Sequence, residues 1–274
     1  MKKVFYIIIT LIFLSCQKEE FEILGASESF TITSSNVNVD FNIYIYLPPN
    51  YPQQNVDYPL IIGLDGDSEF ENMAGIVSQR IAIGNIPASI FVGIGYVGGD
   101  DNESNRNRDY TPSVTQGVED GITGGADNFY NFIRAELIPE LENKYQIDTA
   151  KTKTLMGHSY GGLFTLFAMF QERDTNPFDK FIPVASSFWY DSGVIFEFEE
   201  SFFQNNSDFP VKIYTTMGSL EGAVMIASFE EMNARINSRN YSSLKYKNEI
   251  LEKYGHSRSD YISYQNGLDY VFNN

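Results

Sequence analysis

The six residues Gly157-His158-Ser159-Tyr160-Gly161-Gly162 constrain this chain more than any other segment. They stand between an apolar segment ending at Leu155-Met156 and the run Leu163-Phe164-Thr165-Leu166-Phe167-Ala168-Met169-Phe170, which reads as a helix. That is a G-x-S-x-G elbow in the context it needs, a strand entering and a helix leaving. The glycines have a steric job. A serine on a sharp strand-to-helix turn sits in a strained backbone conformation, and side chains on its flanks would collide with neighbouring elements. The helix start then points N–H groups without intrahelical partners at whatever the serine attacks.

The segments around the elbow set the fold class. Residues 36–45 alternate, with Val37, Val39, Phe41, Ile43 and Ile45 against polar neighbours, the period of a half-buried strand. Leu47-Pro48-Pro49-Asn50-Tyr51-Pro52 breaks it. Residues 58–64 and 89–94 are short apolar runs that fit buried strands, and the first ends at Asp65-Gly66-Asp67. Residues 124–145 read as a long helix with Phe129, Phe132, Ile133, Leu137, Ile138 and Leu141 on one face. Strands are expected at 181–185 and 211–215, a helix at 225–236, and a closing segment at 267–272. Strands alternating with helices imply an α/β fold with a mostly parallel sheet and right-handed crossovers. The polar stretch 98–109 is expected as a loop. Its Asp and Asn spacing lacks the sixth-position glycine and closing glutamate of a calcium loop.

With 274 residues the chain has room for one large α/β domain, and 43% hydrophobic content with 15% aromatics supplies a sizeable core. A net charge of −17 argues against nucleic acid as partner and against adsorption to anionic headgroups.

At the N-terminus, Lys2 and Lys3 precede an apolar stretch over 4–14, then Ser15-Cys16. This is the charged region and short apolar region of a secretory signal, too short for a permanent membrane span. Phe13-Leu14-Ser15-Cys16 resembles a bacterial lipobox, with Phe13 where leucine is commoner. Cys16 is the only cysteine, so no intrachain disulfide is possible. A lone thiol outside the cytoplasm is a liability, whereas a lipidated one is not. Gln17-Lys18-Glu19-Glu20 resembles the Lys-acidic-acidic surface-export signal of Bacteroidetes lipoproteins. The expected organisation is a signal peptide over 1–15, a lipidated N-terminus and tether over 16–35, and one domain over 36–274. The expected location is the bacterial outer membrane, exposed at the cell surface, with the lipid as sole membrane contact.

A serine hydroxyl needs a base to take its proton, and histidine is the usual one near neutral pH. The chain has two histidines. His158 adjoins the serine, so its side chain points away and a structural place beside the sheet is expected. That leaves His256, near the C-terminus, as the base. In serine hydrolases built on such an elbow the chain order is Ser, acid, His. The strand expected at 211–217 runs into Gly218-Ser219-Leu220-Glu221, and Glu221 would orient the imidazole and stabilise its charged form. Glu230 and Glu231 lie inside the following helix and are less suitable. A Ser-His dyad with Glu221 as a solvated turn carboxylate is the alternative. Charge developing on a carbonyl oxygen would be met by the Tyr160 backbone N–H and by that of Gly66 or Asp67, each donor worth about 3–4 kcal/mol in the transition state. Two histidines without a ligand cluster give no zinc site, and no metal or cofactor is expected.

An ordered set of motifs resembles the putative-esterase family of α/β-hydrolases, which includes the enterobactin and bacillibactin esterases, with feruloyl and acetyl-xylan esterases and mycolyltransferases as relatives. The matching stretches are Ile43-Tyr44-Ile45-Tyr46-Leu47-Pro48-Pro49, Tyr58-Pro59 through Leu64-Asp65-Gly66, and Arg108-Asp109-Tyr110-Thr111-Pro112. They continue with Gly124-Gly125-Ala126-Asp127, Glu136-Leu137-Ile138-Pro139, the elbow and Gly218-Ser219-Leu220-Glu221, so the resemblance covers roughly residues 36–272. It implies a single-domain α/β-hydrolase fold with Ser159 as nucleophile, His256 as base and Glu221 as acid. It also puts Arg108 where siderophore esterases use a basic residue near substrate, with an ordinary loop salt bridge as the other reading. Ala185-Ser186-Ser187-Phe188-Trp189-Tyr190 falls on the family's Ser-Pro-Ser segment, Ala185 replacing the first serine and Ser186 the proline. There Trp189 lines the acyl or aryl pocket or belongs to the core.

The resulting expectation is a serine esterase of the siderophore-esterase type, acting on a small-molecule or glycan ester. A carbohydrate esterase, an acyltransferase on the same fold and a non-catalytic binding lipoprotein are the alternatives.

Overall fold

The structure, a computed structural model, describes residues 22–98, 103–116, 122–150 and 153–273. The expected signal peptide, Cys16 and residues 17–20 lie outside the described residues.

In chain order the elements are β1 (Ala26–Thr33), β2 (Asp40–Leu47), β3 (Leu60–Gly63), α1 (Gly66–Ala82), β4 (Ile90–Tyr96) and α2 (Glu103–Tyr110). A long helical stretch follows as α3 (Ala126–Phe132), a π segment (Ile133–Leu137) and α4 (Ile138–Lys144). The remainder is β5 (Lys153–His158), α5 (Tyr160–Met169), β6 (Lys180–Val184), α6 (Ile195–Asn205), β7 (Lys212–Gly218), α7 (Ala223–Arg239), β8 (Lys245–Leu251) and α8 (Asp260–Asn273).

The strands form one eight-stranded sheet in the order β1-β2-β4-β3-β5-β6-β7-β8. Pairing is antiparallel from β1 through β2 to β4 and parallel from β4 onward. Central strands are covered on both faces and so read as continuous apolar runs: every residue of β3 and β4 is buried. The edges, β1 and β8, are polar and half exposed, as strands beside solvent must be.

Two expectations are corrected here. Residues 26–33, assigned to the tether, form β1, because Phe30 and Ile32 pair with Ile43 and Phe41 of β2. The sheet therefore begins ten residues before the expected domain start at 36. The second correction concerns 98–109, whose described part folds as α2 from Glu103 onward. This helix has no apolar stripe to betray it. The Arg106–Asp65 ion pair and the buried Tyr110 ring, packed against Phe129 and Phe164, hold it instead.

The expected helix over 124–145 is present with a widened turn. Pro139 has no N–H and its ring would meet the carbonyl of residue 135, and the π turn over Ile133–Leu137 absorbs the misfit.

Connectivity positions the site. From β3 the chain crosses through α1 to β4 on one side, and from β5 through α5 to β6 on the other. Right-handed crossovers then place α1 and α5 on opposite faces. Accordingly α8 packs beside α1, and α2, α3 and α6 pack against α5. The order reverses between β3 and β5, so their carboxyl ends bound the crevice where ligands bind in open α/β sheets. Asp65 and Ser159 emerge on its two sides.

Candidate active site

Ser159 has φ 60° and ψ −117°, a conformation that costs a non-glycine residue about 1–3 kcal/mol. Its surroundings hold it there. The Ser159 N–H donates to Val184 O and its carbonyl accepts from Ser187 and Leu163. A Cβ on Gly157 would lie 2.5 Å from Gly161 O, and one on Gly162 would lie 2.7 Å from Val184 O. Both contacts are with backbone, which cannot swing aside, so these two positions require glycine.

The hydroxyl so presented meets an imidazole. Ser159 Oγ is 3.0 Å from His256 Nε2, and His256 Nδ1 is 2.9 Å from Glu221 Oε2. The Glu221 side chain is 2% exposed and its other oxygen accepts from the Gly218 N–H at 3.2 Å, so the carboxylate is aimed and fixed. The alternative, a solvated turn carboxylate, is therefore not what the structure contains. Glu231 pairs with Arg235 on α7, away from His256. Ser159, His256 and Glu221 come together from three separate loops, after β5, β8 and β7.

A cavity of about 350 Å³ opens over this group, bordered by Ser159, Ser187, Trp189, Leu220, Met225 and His256. Trp189 is 48% exposed and tilts against the Tyr160 ring at 5.9 Å, so it belongs to the cavity wall and not to the core. A larger cavity of about 600 Å³ beside Phe170, Arg173 and Phe202 holds no serine–histidine pair. We assign the chemistry to the smaller one. Ser187, whose Oγ lies 3.4 Å from that of Ser159, was not singled out from sequence, because only the fold back from β6 brings it there.

Tyr160 opens α5, where the first N–H groups have no intrahelical acceptor, beside Ser159. Gly66 and Asp67, expected to supply the second donor, open α1 on the turn after β3. Gly66 packs on the backbone of Gly93 and Ile94, and the Asp67 carboxylate accepts from the Tyr44 hydroxyl and the Tyr96 N–H. Both border a separate groove with Tyr44 and Phe70. Leu64 and Asp65 are the residues of that turn that abut Gly161.

Arg108 takes the second of its two expected readings. Its Nε and terminal nitrogen donate to both oxygens of Asp109 at 2.7 Å, and a further nitrogen donates to Asn105, which is the salt-bridge reading. Arg106, two residues earlier and on the other side of α2, is the one turned toward the site. It pairs with Asp65 and lies 6.0 Å from the Tyr160 ring centroid. Sequence could have found it only with the helix phase of 103–110 in hand.

His158 points away from Ser159, as expected, but it is not idle. Its Nε2 lies 2.8 Å from the His256 carbonyl oxygen. Burial, and after it the neighbouring His256, push its pKa below the ordinary 6.5.

Residues 34–264 match the model of a family described as putative esterase. The ferri-bacillibactin esterase BesA of Bacillus subtilis (strain 168) is 34% identical over 221 residues, covering 72% of this chain and 74% of that protein. Among solved structures, the BES protein from Bacillus cereus superposes with a TM-score of 0.80 at 31% identity, covering 93% of this chain and 98% of that one. The siderophore hydrolase EstB from Aspergillus nidulans gives a TM-score of 0.77 at 22% identity over 91% of this chain and 96% of that one, a likeness of fold alone.

Proposed function

This chain belongs to the putative-esterase family, and from that membership we propose that it is a serine esterase hydrolysing carboxylic esters of the siderophore type through an acyl-enzyme. The observation that carries the reading is the unbroken run of contacts from Ser159 Oγ through His256 to Glu221, at 3.0 and 2.9 Å. Such a run removes a proton from the hydroxyl as it attacks and returns it to the departing alkoxide.

In the first step Ser159 Oγ bonds to the ester carbonyl carbon while its proton passes to His256 Nε2. Glu221 holds Nδ1–H and lowers the cost of the imidazolium. The negative oxygen faces the Tyr160 N–H at the start of α5, in an environment preorganised for charge. Collapse breaks the ester C–O bond, and His256 gives the proton to the leaving alcohol. Water, deprotonated by the same imidazole, then releases the acid and restores Ser159. The siderophore class comes from the names of the relatives, and the cavity's mix of Trp189, Leu220 and Met225 with Ser187 suits an ester carrying an aromatic or apolar acyl group.

The decisive experiment compares the mature domain with Ser159→Ala on p-nitrophenyl acetate and butyrate and then on a trilactone siderophore. Loss of release in the variant is expected, and equal rates would remove Ser159 from the mechanism. Acylated sugar as the product with a glycan acceptor would replace hydrolysis by transfer. We further propose that the enzyme acts as an outer-membrane lipoprotein, lipidated at Cys16 and displayed at the cell surface. Labelled palmitate should enter the wild-type protein and not Cys16→Ala, and equal incorporation would end that proposal.

A further inference from the structure

His256 is delivered by a short connection, not by a strand. After β8 the chain runs through Glu252, Lys253 and Tyr254, all exposed, to a single 3-10 turn over His256–Arg258 before α8 begins. The His256 side chain is itself 42% exposed. An imidazole on such a segment reaches Ser159 only if the backbone beneath it is fixed. On one side the loop is tied to the loop after β7, where the Leu220 N–H donates to Tyr254 O and Lys253 N–H to Ser219 Oγ. On the other side the tie is a side chain. His158 Nε2 lies 2.8 Å from the His256 carbonyl oxygen, and the two rings stand 4.6 Å apart at 44°. A carbonyl only accepts, so His158 carries its proton on Nε2 and donates it.

We infer that His158 is a positioning residue, whose ring N–H holds the His256 carbonyl and so fixes the backbone from which the imidazole reaches Ser159. The inference rests on the esterase reading above. Because His158 is anchored in the last position of β5, adjacent to Ser159, one strand end sets both the nucleophile and the base. Movement of β5 would carry the two together.

The surroundings of His158 suit a neutral ring. His256 faces it from the connection after β8, Asp260 from α8 and Asp65 from the turn after β3. Glu69 of α1 and Arg106 of α2 border the same polar cavity of about 290 Å³. Proton transfer from Ser159 makes His256 a cation, and a second cation 4.6 Å away would oppose it. Burial disfavours that second charge.

The test uses one chemistry at two lengths. Glutamine places its amide nitrogen where the imidazole has Nε2, whereas asparagine is one methylene shorter and falls short of the His256 carbonyl. kcat and KM on p-nitrophenyl acetate, the labelling rate of Ser159 by a fluorophosphonate, and Tm would be measured for His158→Gln and His158→Asn. Asparagine should lower kcat and labelling by on the order of 10²-fold with KM little changed, the cost of a base displaced by about 1 Å. Glutamine should retain most of both. Equal behaviour of the two variants, whether both active or both impaired, would overturn the inference. Should the asparagine variant not fold, His158→Met, which keeps the length and loses the donor, takes its place against glutamine. Ser159→Ala run alongside separates the two claims. Loss of activity there with an undisturbed asparagine variant removes only the role of His158, and full activity there removes Ser159 as nucleophile and this inference with it.

Discussion

Arg106 and Asp65 form a two-point ion pair, Nε to Oδ1 at 2.7 Å and the terminal nitrogen to Oδ2 at 3.2 Å, that ties α2 to the turn after β3. Asp65 sits there in the left-handed region, at φ 57° and ψ 41°, as the residue before α1. One residue thus does two jobs: its backbone starts α1, the carbonyl accepting from the Ser68 and Glu69 N–H groups, and its side chain anchors α2.

Asp65→Asn should separate these jobs, because asparagine tolerates the left-handed conformation and lacks the charge. The pair is 23% and 13% exposed, so its loss should cost roughly 1–3 kcal/mol, less than the 3–5 of a fully buried pair. Thermal denaturation would show a fall in Tm of about 5 °C. A Tm unchanged from wild type would mean that α2 is held by its aromatic contacts alone.

Glu221→Gln tests the orienting carboxylate without disturbing its shape. Glutamine can still accept from the Gly218 N–H, but it presents no negative charge to His256 Nδ1. The comparable change in a known triad lowers kcat by about 10⁴-fold, and a loss of at least 10²-fold is expected here with KM and Tm little altered. A variant as active as wild type would leave Ser159 and His256 as a dyad.

The depressed pKa of His158 has a consequence for stability. In the unfolded chain the ring titrates near 6.5, and in the fold, buried beside His256, it titrates lower. Between those values the unfolded state binds more protons, so stability rises with pH. The contribution of the neutral ring is complete above pH 6.5 and is lost as pH falls through the folded value. Asp260 and Glu69, raised by burial, work in the opposite sense over acid pH. The His158 effect is therefore read as a difference: denaturant unfolding of wild type should lose stability relative to His158→Gln as pH drops below 6.5, and parallel curves would contradict the shift.

What the sequence disclosed, and what it hid, follows from how each feature is encoded. The elbow, β3, β4 and the long helix were legible because steric need or burial on both faces writes itself into consecutive residues. Phe70, Met73, Ala74 and Val77 of α1 also carry a helical period, although no element was assigned to them. By contrast α2 is held by Arg106 with Asp65 and by the single buried ring of Tyr110, and one ion pair with one ring leaves no periodic mark. The same holds for the site. Ser159, His256 and Glu221 were nameable because serine-hydrolase chemistry limits the residue types and their order. Ser187 and Arg106 depend on where β6 and α2 deliver them, which is a property of the packed chain. The bond from His158 to the His256 carbonyl has no signal at all, since a backbone acceptor has no residue type.

Trp189 gives the most direct reading of what the cavity prefers. It is half exposed and its ring leans on Tyr160 at 5.9 Å, whose own ring meets Tyr190 edge-on at 5.9 Å, so an aromatic wall stands beside Ser159. An aryl acyl group would gain a ring contact there worth about 0.5–1.5 kcal/mol beyond area burial, and a methyl group would gain almost nothing. Trp189→Ala should therefore raise KM for an aryl ester by roughly 3–10-fold while leaving that for the acetate nearly unchanged. Since so much of the side chain is exposed, Tm should move little. A uniform rise in KM across both substrates would instead mean that Trp189 shapes the mouth of the cavity, and a fall in kcat alone would place it on Tyr160 and the oxyanion it faces.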